Sequence, residues 1–190
     1  MDEFLKMSYV LSPLLVGLAF HGLCIKFGWL RLLARPIDAG ATLRGRQRFG
    51  ANKTWRGVVA VALGTAAGFG LQALLHCVGG GHSLEVLDYG NPAVVVLGLA
   101  VGAAAMLSEL PNSLLKRQLG IAPGAASRGV LGVVFYALDQ IDMLVGVWVV
   151  LGFVVGITAA RVLWSVVFLF VALQLLTVVG YGLGMRATAR

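Results

Sequence analysis

The chain has 190 residues, of which 59% are hydrophobic and 12% charged, and its mean hydropathy is +0.91. Water-soluble domains carry roughly 25% charged residues, so the composition excludes a soluble globular protein and points to an all-α, polytopic integral membrane protein. The net charge of +7 is concentrated in particular connections rather than spread as a basic face. That pattern suits membrane topology and anionic lipid headgroups and argues against nucleic acid as a partner.

Five apolar stretches, near residues 8–28, 57–78, 93–111, 139–160 and 162–184, each approach the roughly 20 residues that a bilayer-spanning helix needs. The first opens on Asp2, Glu3 and Lys6 and has no A-x-A site after it, so it reads as an uncleaved span rather than a signal peptide. The fourth has an indistinct start. Val130–Leu138 is apolar and runs straight into Asp139, so either the helix begins there or that stretch first lies in the interface. No repeat, linker or second domain is visible, so residues 1–190 read as one membrane domain with two functional loops.

Charge sets the expected orientation. The first connection carries Arg31, Arg35, Arg44, Arg46, Arg48, Lys53 and Arg56, and the third carries Lys116, Arg117 and Arg128. Both are expected on the cytoplasmic side of a cell membrane. The second connection, residues 79–91, has Glu85 and Asp88 but no Lys or Arg, which puts it and the N-terminus outside, with Arg186 and Arg190 inside. Lys6 and Arg161 run against this pattern but are outnumbered. Gly-x-x-x-Gly pairs at Gly64/Gly68, Gly98/Gly102, Gly152/Gly156 and Gly180/Gly184 predict close helix packing. Cys24 and Cys77 read as unpaired buried thiols at opposite ends of their helices. His21, inside the first helix, reads as an interhelical hydrogen-bond partner rather than a catalyst, while His76 and His82 fall near the outer surface.

Residues 44–57, Arg44-Gly45-Arg46-Gln47-Arg48-Phe49-Gly50-Ala51-Asn52-Lys53-Thr54-Trp55-Arg56-Gly57, form a basic loop punctuated by glycine between two apolar segments. Guanidinium forks grip phosphate oxygens in pairs, and glycines let backbone N–H groups approach closely, so the composition suits a ligand with several phosphates. Basic charge alone could be a topology signal. Asn52, Thr54 and Trp55 favour a binding role, because orientation requires none of them. The Gly45–Thr54 stretch imitates a P-loop but has two extra residues before Lys53 and no strand-to-helix setting.

Glu109, Asn112, Ser113, Lys116 and Arg117 share one helical face at i, i+3, i+4, i+7 and i+8, opposite Leu110, Leu114, Leu115 and Leu119. With Pro111 able to kink its junction with the membrane helix, this stripe reads as the wall of a water-accessible cleft; an interfacial amphipathic helix is the alternative. Asp139 and Asp142 are spaced i, i+3 with Gln140 between them, at a depth where ionised acids are costly unless paired or metal-bound. Two carboxylates beside a phosphate-binding loop suit Mg²⁺, with Glu109 as a third acid. Salt bridges to Arg44, Arg46, Lys53 or Arg56 are the competing explanation.

Residues 36–45 (PIDAGATLRG), 49–57 (FGANKTWRG), 115–121 (LKRQLGI) and 138–142 (LDQID) together resemble the ordered signatures of CDP-archaeol synthases, five-helix relatives of the CTP:phosphatidate cytidylyltransferases. The resemblance covers about residues 30–146. Ala41 stands where that family often has Lys, and Ser108-Glu109 where it often has Gly-Asp, so the lipid substrate stays open. The resemblance implies Mg²⁺-dependent transfer of CMP from CTP to a lipid phosphate, giving a CDP-lipid and pyrophosphate. On that reading Asp139, Asp142 and Glu109 hold the metal, Lys53 and Arg56 stabilise the triphosphate, and Lys116 and Arg117 hold the lipid phosphate or share that task. Arg44, Arg46, Asn52, Thr54, Asn112 and Ser113 are candidate substrate contacts. A homodimer is left open. A small transporter or scramblase of anionic lipids is the alternative, and it requires polar groups along a path through both leaflets.

Overall fold

The computed structural model describes residues 2–79, 82–123, 125 and 129–182. Five of its helical segments are long and apolar enough to cross a membrane. They are α1 (Asp2–Lys26), α2 (Trp55–Cys77), the broken span α3 (Ala93–Leu107) with α4 (Glu109–Gln118), α5 (Gly129–Val155) and α6 (Ala159–Gly182). The chain is thus an all-α, multi-pass membrane protein. α1 packs on α2 and α6, α2 on α3, α3 on α5 and α5 on α6, which closes the five spans into a ring.

Lipid tails are as apolar as leucine, so the hydrophobic effect does little to drive helices together inside a bilayer, and close backbone contact matters more. Gly17 and Gly64 meet where α1 crosses α2; a Cβ on Gly64 would lie 2.6 Å from the Gly17 Cα. Gly68 faces Pro13 in the same crossing, and Gly98 and Gly102 lie against Ala66 and Ala62 where α2 meets α3. Two of the predicted glycine pairs therefore do pack helices. Gly152/Gly156 does not: Gly156 has φ +73° in the turn between α5 and α6, and Gly152 faces Ile157 of that turn. Gly184, of the fourth pair, lies outside the described residues. One buried polar contact adds to the α1–α2 crossing, where Gln72 Nε2 donates to the Tyr9 carbonyl at 2.6 Å.

One open question is answered and one expectation needs correction. The helix that carries Asp139 and Asp142 takes in residues 130–138: α5 is continuous from Gly129, so both acids sit in the body of a helix. Leu, Val and Phe at the preceding positions simply extend the same helix, which hydropathy windows alone could not decide. Cys77 is exposed at the end of α2, whereas Cys24 is buried as expected.

The third span breaks at Ser108. Pro111 has no N–H to give the Leu107 carbonyl, and its ring crowds that oxygen, so the α-helical ladder cannot run through. The chain restarts as α4 with Glu109 in its first turn, where a carboxylate suits the positive end of the helix dipole. α4 carries its polar face inward: Ser113 and Arg117 are buried, while Leu115 and Leu119 are exposed.

Candidate active site

The basic loop between α1 and α2 is an ordered structure. Thr42–Leu43 pairs antiparallel with Arg46–Gln47 through a two-residue turn, in which Arg44 and Gly45 have φ of 53° and 74°. Positive φ at both central positions is the type I′ requirement for such a hairpin. Asp38 staples the rest of the loop. Its Oδ1 accepts the Gly40 N–H at 3.0 Å, and its Oδ2 accepts those of Phe49 at 2.9 Å and Gly50 at 3.3 Å. Burial works against ionisation of this carboxyl, but the three N–H donors outweigh it and hold Asp38 below its ordinary carboxylate range. Gly50 has φ +100°, and a Cβ there would lie 2.9 Å from Pro123, so only glycine fits where the loop meets the segment after α4.

The loop then delivers Lys53 to the helices. The Ile37 N–H donates to the Lys53 carbonyl at 2.8 Å, and Thr54 caps α2, accepting the Gly57 N–H on its hydroxyl at 3.4 Å. Lys53 Nζ makes an ion pair with Glu109 Oε2 of α4. At the hairpin, Arg46 donates to the Gln118 carbonyl, so the loop is tied to both ends of α4.

α5 supplies the acids. Asn112 Nδ2 lies 2.7 Å from Asp139 Oδ1 and 3.0 Å from Asp142 Oδ2, bridging the two carboxylates with one amide. Lys116 Nζ lies 2.5 Å and 2.7 Å from the two Asp139 oxygens and 5.4 Å from the centre of the Phe135 ring. Asp142 has no cationic partner among the described residues; its other oxygen accepts the Met143 N–H at 2.7 Å.

The sequence-predicted residues therefore fall into two linked groups. Lys53 with Glu109, and Asn112 with Lys116, Asp139 and Asp142, meet along α4. Arg117 and Ser113 are buried on that helix, with Arg117 Nε and Nη1 lacking partners among the described residues. Arg44 and Asn52 are exposed, Arg44 at the hairpin tip. Arg128 lies outside the described residues. Arg56, the second residue of α2, lies near His21, a residue that sequence reasoning set aside. A Cβ on Gly57 would lie 3.4 Å from His21 Cε1 and Nε2, so the ring rests on the first turn of α2. The signal for it, an imidazole inside an apolar span, was visible but could not be connected to α2 without the crossing.

Asp139 and Asp142 could ligate a hard cation, and the buried Asn112 Oδ1, which has no partner among the described residues, is a neutral oxygen beside them. Among the described residues no group of three His, Cys, Asp or Glu side chains could hold a metal. Mg²⁺ does not require one, because it takes one or two carboxylates and completes its shell with water and substrate phosphates.

A basic loop tied to α4, with two acids of α5 beside that helix, is a candidate site for chemistry on phosphates, and comparison with known proteins is specific about the family. The CarS-like family model, described as CDP-archaeol synthase, matches residues 7–189. The CDP-archaeol synthase of Halobacterium salinarum is 38% identical over 157 residues, covering 80% of this chain and 81% of that one. That of Methanosarcina mazei is 32% identical over 125 residues, covering 60% and 63%. A solved structure described as an intramembrane enzyme for archaeal membrane lipids biosynthesis shares the fold, with a TM-score of 0.62 at 23% identity over 90% of this chain and 91% of that one. The protein is a membrane-embedded, CTP-dependent lipid-phosphate cytidylyltransferase. Within that class, it belongs to the CDP-archaeol synthase family.

Proposed function

We propose that the enzyme transfers CMP from CTP to a glycerol-based lipid phosphate with Mg²⁺, and that the Asp139–Asn112–Asp142 bridge marks the metal site. A lipid phosphate has a second pKa of about 6, so at neutral pH it is already an anionic nucleophile and needs no strong base. One of its oxygens attacks the α-phosphorus of CTP; the P–O bond to the β-phosphate breaks, and pyrophosphate leaves with the electron pair. What the protein must supply is alignment and charge neutralisation.

Asp139 and Asp142 fit Mg²⁺, with the Asn112 carbonyl oxygen at hand and Glu109 reaching it directly or through water. When bound, the metal neutralises charge on the triphosphate and templates the in-line geometry. Lys53 and Arg56 stabilise charge on the triphosphate and the departing pyrophosphate. Lys53 is already held at the α4 junction by Glu109, so it exchanges a carboxylate for a phosphate on substrate binding. Lys116 and Arg117 take the lipid phosphate; the unpartnered, buried guanidinium atoms of Arg117 favour an anion there. Asn112 and Ser113 line the same helix face. Arg44, Arg46 and Asn52 form the aqueous rim, and Thr54 acts through the α2 cap.

The loop and the α4 end face the cytoplasm in this reading, where CTP is available, while the lipid chains stay in the bilayer. The observation that carries the proposal is the gathering of two acids by one amide within a helix that should otherwise exclude charge. The test is to incubate detergent-purified protein with CTP, Mg²⁺ and a panel of isoprenoid and acyl glycerol phosphates and to follow CDP-lipid by mass spectrometry. Failure of every lipid phosphate to yield a CDP-lipid would sink it.

A further inference from the structure

His21 is the one imidazole that the helix ring brings to the site end of the bundle among the described residues, and the reaction as derived above makes no use of it. Its ring lies on the first turn of α2 because residue 57 has no side chain, and Met106 of α3 approaches the same spot: a Cβ on Gly57 would lie 3.2 Å from Met106 Cε. Arg56 and Lys53 are the charged groups whose fields reach the ring. Glu109, the partner of Lys53, follows Met106 by three residues across the Ser108 break. No group among the described residues hydrogen-bonds either ring nitrogen, and the ring is only partly buried, so an incoming ligand can reach it.

A histidine that served only to join two helices would spend a ring nitrogen on the neighbouring helix, as Gln72 spends its amide on the Tyr9 carbonyl. His21 does not. An imidazole offers one N–H donor when neutral and two when charged, and both forms bind phosphate oxygens. Depth selects which phosphate. On the proposed topology Lys53 and the hairpin precede α2 at the cytoplasmic face, whereas His21 lies level with Gly57, in the first turn of α2. CTP arrives from water and the lipid phosphate from the bilayer, so the deeper donor meets the lipid.

We infer that His21 is a substrate-contacting residue whose ring N–H hydrogen-bonds the phosphate of the lipid substrate where that phosphate meets the triphosphate bound by Lys53 and Arg56. The inference rests on the cytidylyltransferase reading and deepens it by assigning a contact to the lipid rather than to CTP.

Two measurements test it. In steady-state assays with a short-chain lipid phosphate, His21→Ala should raise KM for the lipid on the order of tenfold, the worth of one hydrogen bond to a charged group, with KM for CTP unchanged. His21→Gln, which keeps a donor, should recover most of the loss, and both variants should melt with the wild type. A rise in KM for CTP alone, or a fall in kcat that tracks a lowered melting temperature without rescue by Gln, overturns the assignment. The second measurement needs no turnover and so separates this inference from the reading beneath it. Diethyl pyrocarbonate modifies accessible imidazoles, and the peptide carrying His21 reports the extent by mass spectrometry. Short-chain lipid phosphate should protect His21, and CTP without lipid should not; equal modification with and without the lipid phosphate overturns the contact even in an enzyme that makes CDP-lipid.

Discussion

Lys53, in the loop that leads into α2, forms an ion pair with Glu109 in the first turn of α4, 56 positions away in the chain. Both side chains are mostly buried, with 21% and 17% of their surface exposed. Glu109→Gln should therefore strand a partly desolvated ammonium and destabilise the fold by about 1–3 kcal/mol. Lys53→Met combined with Glu109→Gln should recover much of that stability while leaving turnover reduced by about a hundredfold or more, because the cation facing the triphosphate is gone. Melting curves and initial rates on the two variants and the wild type check this; a double variant with wild-type turnover would remove Lys53 from the chemistry.

Asp142 and Asp139 should respond differently to the same change. Asp142 lacks a cationic partner among the described residues, so Asp142→Asn removes an unpaired charge and should melt at or above the wild-type temperature. Asp139→Asn leaves Lys116 without its carboxylate and should melt lower. Both should lower kcat by about a hundredfold or more, as expected when a group acting in the transition state is lost. An Asp142→Asn protein that is stable and fully active would move the acidic site elsewhere.

Magnesium should raise the melting temperature of the wild-type protein in a concentration-dependent way, through its preference for the folded state. The Asp139→Asn/Asp142→Asn double variant should lose that shift, and excess EDTA should abolish CDP-lipid formation. An undiminished magnesium shift in the double variant would place the cation outside these two acids.

Asp38 organises the loop as a carboxylate, so its contribution has a defined pH dependence. Its folded-state pKa is depressed below the ordinary value of 3.8, so the stabilisation is fully present above that value and fades as pH falls through the lower folded-state pKa. Asp38→Ala should loosen the hairpin at pH 7, raising KM for CTP several-fold, and its stability difference from wild type should vanish in strong acid. A constant difference down to pH 2 would show that the staple does not depend on ionisation.

Membrane class, the approximate positions of five apolar helices and the polar residues that gather along α4 were legible in the chain itself. Each depends on a local sum or a short spacing: the hydropathy of about 20 residues, or the i, i+3, i+4 rule that puts Glu109, Asn112 and Lys116 on one face. The Asn-Lys-Thr-Trp-Arg-Gly block likewise pointed to the family. Where α5 begins was not legible, because apolar residues extend a helix and fill an interface equally well.

Tertiary structure decided the partnerships. Lys53 pairs with Glu109, Asp139 rather than Asp142 takes Lys116, Asp38 braces the loop, and His21 reaches the first turn of α2. These depend on how closely backbones cross at Gly17/Gly64 and Gly102/Ala62, and on the direction α4 takes after Ser108. Such distances of a few ångströms are set by packing between segments far apart in the chain, and no local pattern of residues encodes them.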